Sequence, residues 1–402
     1  MHYAAAATLA RFADEMVGLS VVLFVLDRTD SAALAGAAVA GYTLPAVLTG
    51  PLLGAWLASA GKRATLALAG NELVLAVVAV ALVLTVGHVP AAVVVVLTAF
   101  AGVSLPLTSA GYSSLLPAMV DRQALAKANT VDAMSVNGPA IAGPAVAGTL
   151  AAALDPTVSI LAVAVVAVAA AVVTLPMRVT PRETDVDRPS LLRVARAGLA
   201  HLARTPPLRA ATLASVISYG CVGLLVVALP ARVVQLGVRS ADAGYLWTAF
   251  EVGGVLGILL VSTRLRPARP ERVVFAAVGS YGVLLGVLAF LPNLAATLAV
   301  AVAAGFAEGP CLPSVFAARQ RYSPDHLLAQ VSTTGASLKI GAFALGSVLS
   351  GTLTGTVGPA GMLLLAAAGQ LVAAAGGLAI GRTGTATTEP AVTTNDVHGR
   401  TP

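Results

Sequence analysis

Apolar runs of about twenty residues or more alternate along this chain with short segments rich in charge, proline and glycine. A helix needs about 20 mostly apolar residues to cross a hydrocarbon layer, at about 1.5 Å per residue. The runs at 5–26, 31–58, 64–87, 90–118, 126–154, 157–176, 209–230, 241–263, 273–291, 294–318, 328–355 and 359–381 therefore predict twelve spanning helices. Connections are tight except at 178–208, which opens on the mixed-charge stretch Arg182–Arg188. From Ser190 onward, Leu191, Val194, Ala195, Leu199 and Leu202 fall on one helical face, with Arg193, Arg196 and Arg204 off it. That pattern predicts a basic amphipathic helix on the inner leaflet, joining two halves of the chain. Residues 382–402 lack apolar periodicity and predict a disordered tail.

Composition agrees with the pattern. Of 402 residues, 57% are hydrophobic and only 10% charged, and the mean hydropathy is +0.89. A soluble protein carries about a quarter charged residues, so a cytosolic enzyme, a nucleic-acid binder and a secreted disulfide scaffold are excluded. The chain reads as an all-α polytopic membrane protein. Cys221 and Cys311 both fall within apolar runs and read as small core residues. The five histidines are scattered, with no metal-ligand spacing.

Charge placement sets the expected orientation. With the N-terminus inside, the inside segments hold 18 Lys and Arg residues, from Lys62 and Arg63 to Arg382, whereas the outside segments hold only Arg28, Arg232 and Arg239. This positive-inside bias predicts cytoplasmic N- and C-termini. The arginine-rich, alanine-rich composition fits a GC-rich bacterial genome, hence a bacterial inner (plasma) membrane.

The halves repeat. At an offset of 203 residues Gly41-Tyr42 meets Gly244-Tyr245, Gly50 meets Gly253, Gly54 meets Gly257, Arg63 meets Arg266 and Gly102 meets Gly305. Gly138, Gly143 and Gly148-Thr149-Leu150 meet Gly341, Gly346 and Gly351-Thr352-Leu353 at the same offset. The expected organisation is an N-terminal six-helix bundle (1–177), a cytoplasmic linker (178–208), a C-terminal six-helix bundle (209–381) and a tail (382–402). Parallel repeats of this kind suit alternating access, with two bundles rocking about a site between them.

Ionisable groups inside spans are expensive and default functional candidates. Arg11, Asp14, Glu15, Glu72, Asp132, Glu251, Glu308 and Lys339 fall in this class. Arg11 precedes Asp14 by three residues and Glu15 by four, so an intrahelical pair is expected. Lys339 needs a counter-charge, with Glu308 the first candidate and Glu251 the second. Glu308 sits in Gly305-Phe306-Ala307-Glu308-Gly309-Pro310, where glycine and proline loosen a helix. Tyr42, Tyr219, Trp247, Phe250 and Phe306 are the aromatics available to stack on flat substrates.

Three stretches resemble the major facilitator superfamily. Gly54-Ala55-Trp56-Leu57-Ala58-Ser59-Ala60-Gly61-Lys62-Arg63 resembles its loop signature between helices two and three, with Ala58 where the family usually has a gate-latching aspartate. Ala142-Gly143-Pro144-Ala145-Val146-Ala147-Gly148 resembles the motif of its antiporters, with Ala147 replacing a glycine. Gly198–Arg209 resembles the mid-chain linker of its drug- and siderophore-efflux members. The helix-four arginine of many drug antiporters is absent from Phe100–Leu105. The resemblance implies that helices one, four, seven and ten line a cavity, with Asp14 and Glu308 on opposite walls.

No ATP-binding loop of the Gly-x-x-x-x-Gly-Lys-Ser/Thr type exists, nor a hydrolase signature. The chain is therefore expected to be a secondary transporter and not an enzyme, without cofactor or metal. Its expected partners are a small-molecule substrate, protons and the lipid bilayer, with no nucleic acid, and it is expected to be a monomer. The best-supported activity is proton-driven efflux of small lipophilic or amphipathic compounds; the alternative is a proton-coupled importer of a nutrient or metabolite.

Overall fold

A computed structural model describes residues 2–59, 62–116, 119–120, 125–177, 191–262 and 269–383. The helices follow the predicted order. The first half holds α1 (His2–Thr29), α2 (Ala32–Thr43) with α3 (Ala46–Ser59), and α4 (Lys62–Thr85). It continues with α5 (Ala91–Gly102), a π-helical turn (Leu107–Gly111), α6 (Tyr112–Leu115), α7 (Leu125–Ala153) and α8 (Pro156–Thr174). After α9 (Leu191–Arg204) come α10 (Pro206–Gly223) with α11 (Leu225–Gln235), α12 (Ala243–Gly257) and α13 (Pro270–Leu288). The chain closes with α14 (Leu294–Glu308), α15 (Cys311–Tyr322), α16 (Asp325–Val357) and α17 (Pro359–Thr383).

Among the described residues, eight helices are long and apolar enough to cross a membrane, nine if α10 and α11, bent by 44°, count as one span. The remaining predicted spans are those the sequence makes polar or broken. Arg11, Asp14 and Glu15 sit within α1, α7 carries Asn137, Pro139 and Pro144, and α5 is short. Breaks fall where a proline withholds its N–H: Pro45 between α2 and α3, Pro106 before the π turn, and Pro310 between α14 and α15. At the α10–α11 bend the freed groups find a partner. The Ser350 hydroxyl donates to the Leu224 carbonyl at 2.6 Å and accepts from the Val227 N–H at 3.1 Å. In an apolar layer such internal satisfaction is obligatory.

α1–α8 pack chiefly on one another, as do α10–α17. The halves meet through α2 against α16 and α7 against α12. Both meetings are backbone on backbone. A methyl group on Gly36 would strike the Ser347 carbonyl and lie 3.0 Å from the Gly351 Cα. A methyl on Gly244 would strike the Pro144 carbonyl and lie 3.1 Å from the Gly148 Cα. Small residues let helices approach this closely where hydrophobicity supplies no drive. All of these contacts lie on the face away from the start of α1 and the end of α17; that second face is called the terminus face below.

The repeat is real, but its register changes along the chain. Gly102 packs on the Tyr42 carbonyl as Gly305 packs on the Phe250 carbonyl. The two glycines are 203 residues apart, whereas Tyr42 and Phe250 are 208 apart. Gly36 and Gly244, which make equivalent contacts across the interface, are also 208 apart. The match of Gly41-Tyr42 with Gly244-Tyr245 is therefore coincidental. The five-residue slip closes again because α4 has 24 residues and α13 only 19.

The helix predicted for the linker forms, but part of it faces protein and not the inner leaflet. Gly198 packs against Gln330 of α16, Leu202 is buried with Leu208 and Val331, and His201 Nε2 lies 2.9 Å from the Tyr322 carbonyl oxygen. Leu199 stays half exposed. The stretch 178–190 and the tail from 384 onward lie outside the described residues.

Overpacking a close helix contact costs about 1–3 kcal/mol per site, worth roughly five- to a hundredfold in population at about 1.4 kcal/mol per decade. In Gly148→Val or Gly351→Val the face away from the termini should therefore open. An impermeant maleimide applied to that face should label Leu19→Cys at least fivefold faster in either variant; an unchanged rate would show that these contacts do not hold the face shut.

Candidate functional site

Where the glycine contacts end, the halves diverge and leave two adjoining cavities. One, of about 300 Å³ at mid-depth, is lined by Asp14, Glu15 and Gly18 of α1, Tyr42 of α2, Tyr219 of α10, and Trp247 and Glu251 of α12. The other, of about 400 Å³, shares Asp14, Glu15, Leu105, Tyr219 and Phe343 and runs on to Leu57, Ser114, Thr333 and Ser337. Those last residues lie near the terminus face, so the combined space runs from the middle of the molecule toward it. Three carboxyls thus face one chamber of aromatic and aliphatic walls. Asp14 accepts a hydrogen bond from the Tyr42 hydroxyl. Glu15 and Glu251 have no ion-pair partner among the described residues.

Gly143 explains how Glu15 reaches the chamber. A methyl at Gly143 would lie 2.7 Å from the Glu15 Cβ and 3.1 Å from its carbonyl carbon. Only glycine lets α7 lie this close to α1, so the antiporter-like stretch positions an acidic side chain. Two of its other members do different work, Pro144 and Gly148 forming the interface with Gly244.

Arg11 does not pair with Asp14 or Glu15. Its guanidinium reaches across to α7, with Nη1 2.7 Å from Asp132 Oδ1. Nη1 also donates to the Ser135 hydroxyl, and Nη2 donates to Ser113 Oγ at 2.8 Å. Ser113 donates to Asp132 Oδ2 at 2.6 Å, and the Tyr3 hydroxyl donates to Asp132 Oδ1 at 2.7 Å. The intrahelical pair loses because α6 and α7 offer a carboxylate and two hydroxyls together, and a fork of N–H donors suits such a set. Arg11 Nε alone lacks a partner among the described residues.

The family model of the Major Facilitator Superfamily matches residues 3–339. The chain belongs to the Major Facilitator Superfamily. It is a multi-pass membrane transporter of small molecules, not an enzyme. Similar proteins include an uncharacterised MFS-type transporter, y4rN, of Sinorhizobium fredii, 27% identical over 351 residues, covering 87% of this chain and 86% of the relative. The multidrug efflux pump Tap of Mycolicibacterium fortuitum is 32% identical over 120 residues, 30% of this chain and 29% of Tap. Among solved structures, the nucleoside transporter NupG superposes with a TM-score of 0.76 at 12% identity, covering 94% of this chain and all of NupG. That likeness shows the fold alone.

Within this transporter, Glu308 is not among the residues lining these two cavities, and its charge reaches Tyr219, which lines both. Gly253, Gly257, Gly305 and Gly309 bring α12 and α14 into contact through the Val302, Phe306, Phe250 and Gly254 carbonyls. α12 supplies Trp247 and Glu251 to the wall of the smaller cavity. Lys339 pairs with neither Glu308 nor Glu251. Its Nζ sits 4.5 Å from the centre of the Tyr219 ring, a cation–π contact. Of the loop signature, Gly54 lies in α3, Lys62 begins α4 and Arg63 is exposed. Gly61 lies outside the described residues.

Phe343, Ser113, Ser135 and Tyr3 escaped the sequence reading. Short hydroxyls and isolated aromatics on apolar helices carry no spacing signal until their neighbours are known.

Breaking a buried ion pair by removing one partner costs about 3–5 kcal/mol, whereas replacing both by apolar groups is often neutral. Arg11→Leu should therefore lower the melting temperature of the purified transporter clearly, and Arg11→Leu/Asp132→Leu should recover most of the loss. Additive losses in the double variant would show that the pair is not an energetic unit.

Proposed function

We propose that this transporter is a proton-driven exporter of small lipophilic or amphipathic compounds, and that its substrates carry positive charge. The carrying observation is the chamber between the halves. It presents Asp14, Glu15 and Glu251 among Tyr42, Tyr219, Trp247 and Phe343, and neither Glu15 nor Glu251 has a cationic partner among the described residues. Carboxylates without partners in a half-apolar space attract cations, and aromatic faces add cation–π attraction and stacking area. The same carboxyls accept protons, so substrate and proton compete for one set of groups. That competition is what couples opposite fluxes in an antiporter.

Direction is supported by the antiporter-like stretch that seats Glu15 and by the partial likeness to an efflux pump. With both termini cytoplasmic, as the arginine bias favours, the space runs toward the cytoplasm and is shut by glycine contacts on the outer side. Substrate would then load from inside. We further read the chain as a monomer in a bacterial inner membrane, with the linker helix α9 docked on the C-terminal half.

The test uses inverted membrane vesicles, acidified by respiration and followed with a pH-quenched dye. Lipophilic cations added to the bath, which is the cytoplasmic face, should dequench the dye only when the transporter is present. Charge-assisted contacts are worth about 1.5–3 kcal/mol, so Glu251→Gln should raise the half-saturating cation concentration roughly ten- to a hundredfold. Asp14→Asn should abolish the proton movement. No dequenching by any compound added to the bath, with dequenching when the vesicle lumen is loaded with a neutral metabolite, would favour the importer, whose proton and substrate leave the lumen together.

A further inference from the structure

We propose that Glu72 is a second proton-binding site of this transporter, set behind the cavity wall and linked to it through the π-helical turn of span four. The proposal rests on the proton-driven reading for its role in transport, and on geometry alone for its existence.

Glu72 lies on α4 and is fully buried. No cation among the described residues pairs with it, because Arg11, the basic group of this half that lies within a span, is committed to Asp132. Its hydrogen bonds are one-sided. Oε1 accepts from Asn71 Nδ2 at 2.9 Å and from the Thr108 hydroxyl at 2.9 Å, while Asn71 Nδ2 also donates to Thr108 Oγ1 at 2.6 Å. Oε2 has no partner at all among the described residues. An ionised carboxylate would leave half its charge bare in an apolar interior, which is severely unfavourable. A neutral acid fits this arrangement. Its carbonyl oxygen carries the two accepted bonds, and its hydroxyl sits on the open side.

Thr108 makes the site more than a buried acid. It belongs to the π turn Leu107–Gly111, and turns of this kind gather at functional positions. Leu107 and Gly111 of the same turn, and Ser114 just beyond it, line the larger cavity. One hydroxyl therefore joins the carboxyl to a wall that the substrate would touch. The ionisable groups whose charge reaches Glu72 from neighbouring helices are Asp14 of α1, Tyr42 of α2 and Tyr112 of α6. The Tyr112 hydroxyl is bonded to Thr174 at 2.8 Å. The helices α5 and α8 and the π turn present no ionisable side chain to it. Asp14, hydrogen-bonded to Tyr42 in the cavity, is thus the acid whose charge Glu72 senses. When Glu72 releases its proton to water reaching the cavity, the anion pulls on Thr108 and Asn71, and the π turn with its lining residues must respond.

The experiment is infrared difference spectroscopy on the full chain in lipid nanodiscs, titrated with pH. A neutral-carboxyl band that converts to carboxylate should be present in the wild type and missing in Glu72→Gln. Spectra of the two that superimpose at every pH would overturn the proposal. Should Glu72→Gln fail to fold, Thr108→Val keeps the acid and removes its tie; the band must then titrate at a changed pH, and an unchanged midpoint overturns the link to the π turn. Coupling to the cavity is read from maleimide labelling of Ser114→Cys, whose pH profile should carry a step that Glu72→Gln removes. A profile identical in both backgrounds refutes that coupling. If the band titrates but transport ignores the proton gradient, the proton-driven reading falls and Glu72 remains a proton-binding site.

Discussion

Backbone contact at four glycines decides much of what this molecule can be. Gly36 against Gly351, and Gly148 against Gly244, bring helices of opposite halves together with no side chain between them. In lipid no hydrophobic drive separates helix–helix from helix–lipid contact, so close packing supplies the attraction. Because these contacts occupy one face only, the halves must part toward the other, and the chamber holding Asp14, Glu15 and Glu251 follows from that divergence. The same absence of Cβ atoms makes the interface separable. It has few interlocking side chains to withdraw, and hydrogen bonds such as Thr248 to the Ile141 carbonyl are single and short-sided. A contact that is tight when closed and cheap to part suits a rocking transporter.

The two halves share a backbone and divide the chemistry. Apart from Glu15, the span acids of the first half sit in bonded sets: Asp132 with Arg11 and two serines, Asp14 with Tyr42, Glu72 with Asn71 and Thr108. The second half holds Glu251 and Lys339 without ion pairs among the described residues, the lysine resting on the Tyr219 ring. Fixed networks resist rearrangement because each member left unbonded in an apolar interior is costly. A loosely bound cation and a bare carboxyl do not. On this arrangement the first half is the more firmly bonded frame, and the second half is the side with fewer fixed polar partners.

Much of the fold was legible because it is written in local signals. Apolar run length gave the helices, Pro310 was read as loosening its span, and glycine recurrence revealed the repeat, whereas the breaks at Pro45 and Pro106 emerged only in the structure. What failed were inferences that needed a partner from elsewhere in the chain. Arg11 has two acids within one helical turn, and nothing in the sequence says that Asp132, distant by 121 residues, arrives with two hydroxyls in support. Lys339 was given Glu308 or Glu251 as its counter-charge and instead rests on the Tyr219 ring. Glu308 was assigned to the cavity through a general rule about which spans line it, and Glu251 of α12 is the second-half acid that lines the smaller cavity.

The register slip shows how a correct inference can carry a wrong detail. A fixed offset of 203 aligns spans four, five, ten and eleven, and the structure keeps those equivalences atom for atom at Gly102 and Gly305. Span two sits five residues out of that frame because the connection before α12 is longer, a three-residue turn Ser240–Asp242 included, and α13 is shorter by the same five. In a chain with 39 glycines, a Gly-Tyr pair recurs by chance at the wrong frame. The close contact across the interface discriminates where letters cannot, since in spans two and eight it is Gly36 and Gly244 that face equivalent carbonyls of the other half, those of Ser347 and Pro144. Two chain segments of different length have thus been held to one interface geometry, the added residues being taken up in the connection and at the start of a span. An interface conserved through such a length change is constrained by its backbone spacing and not by the identity of the loops that deliver it.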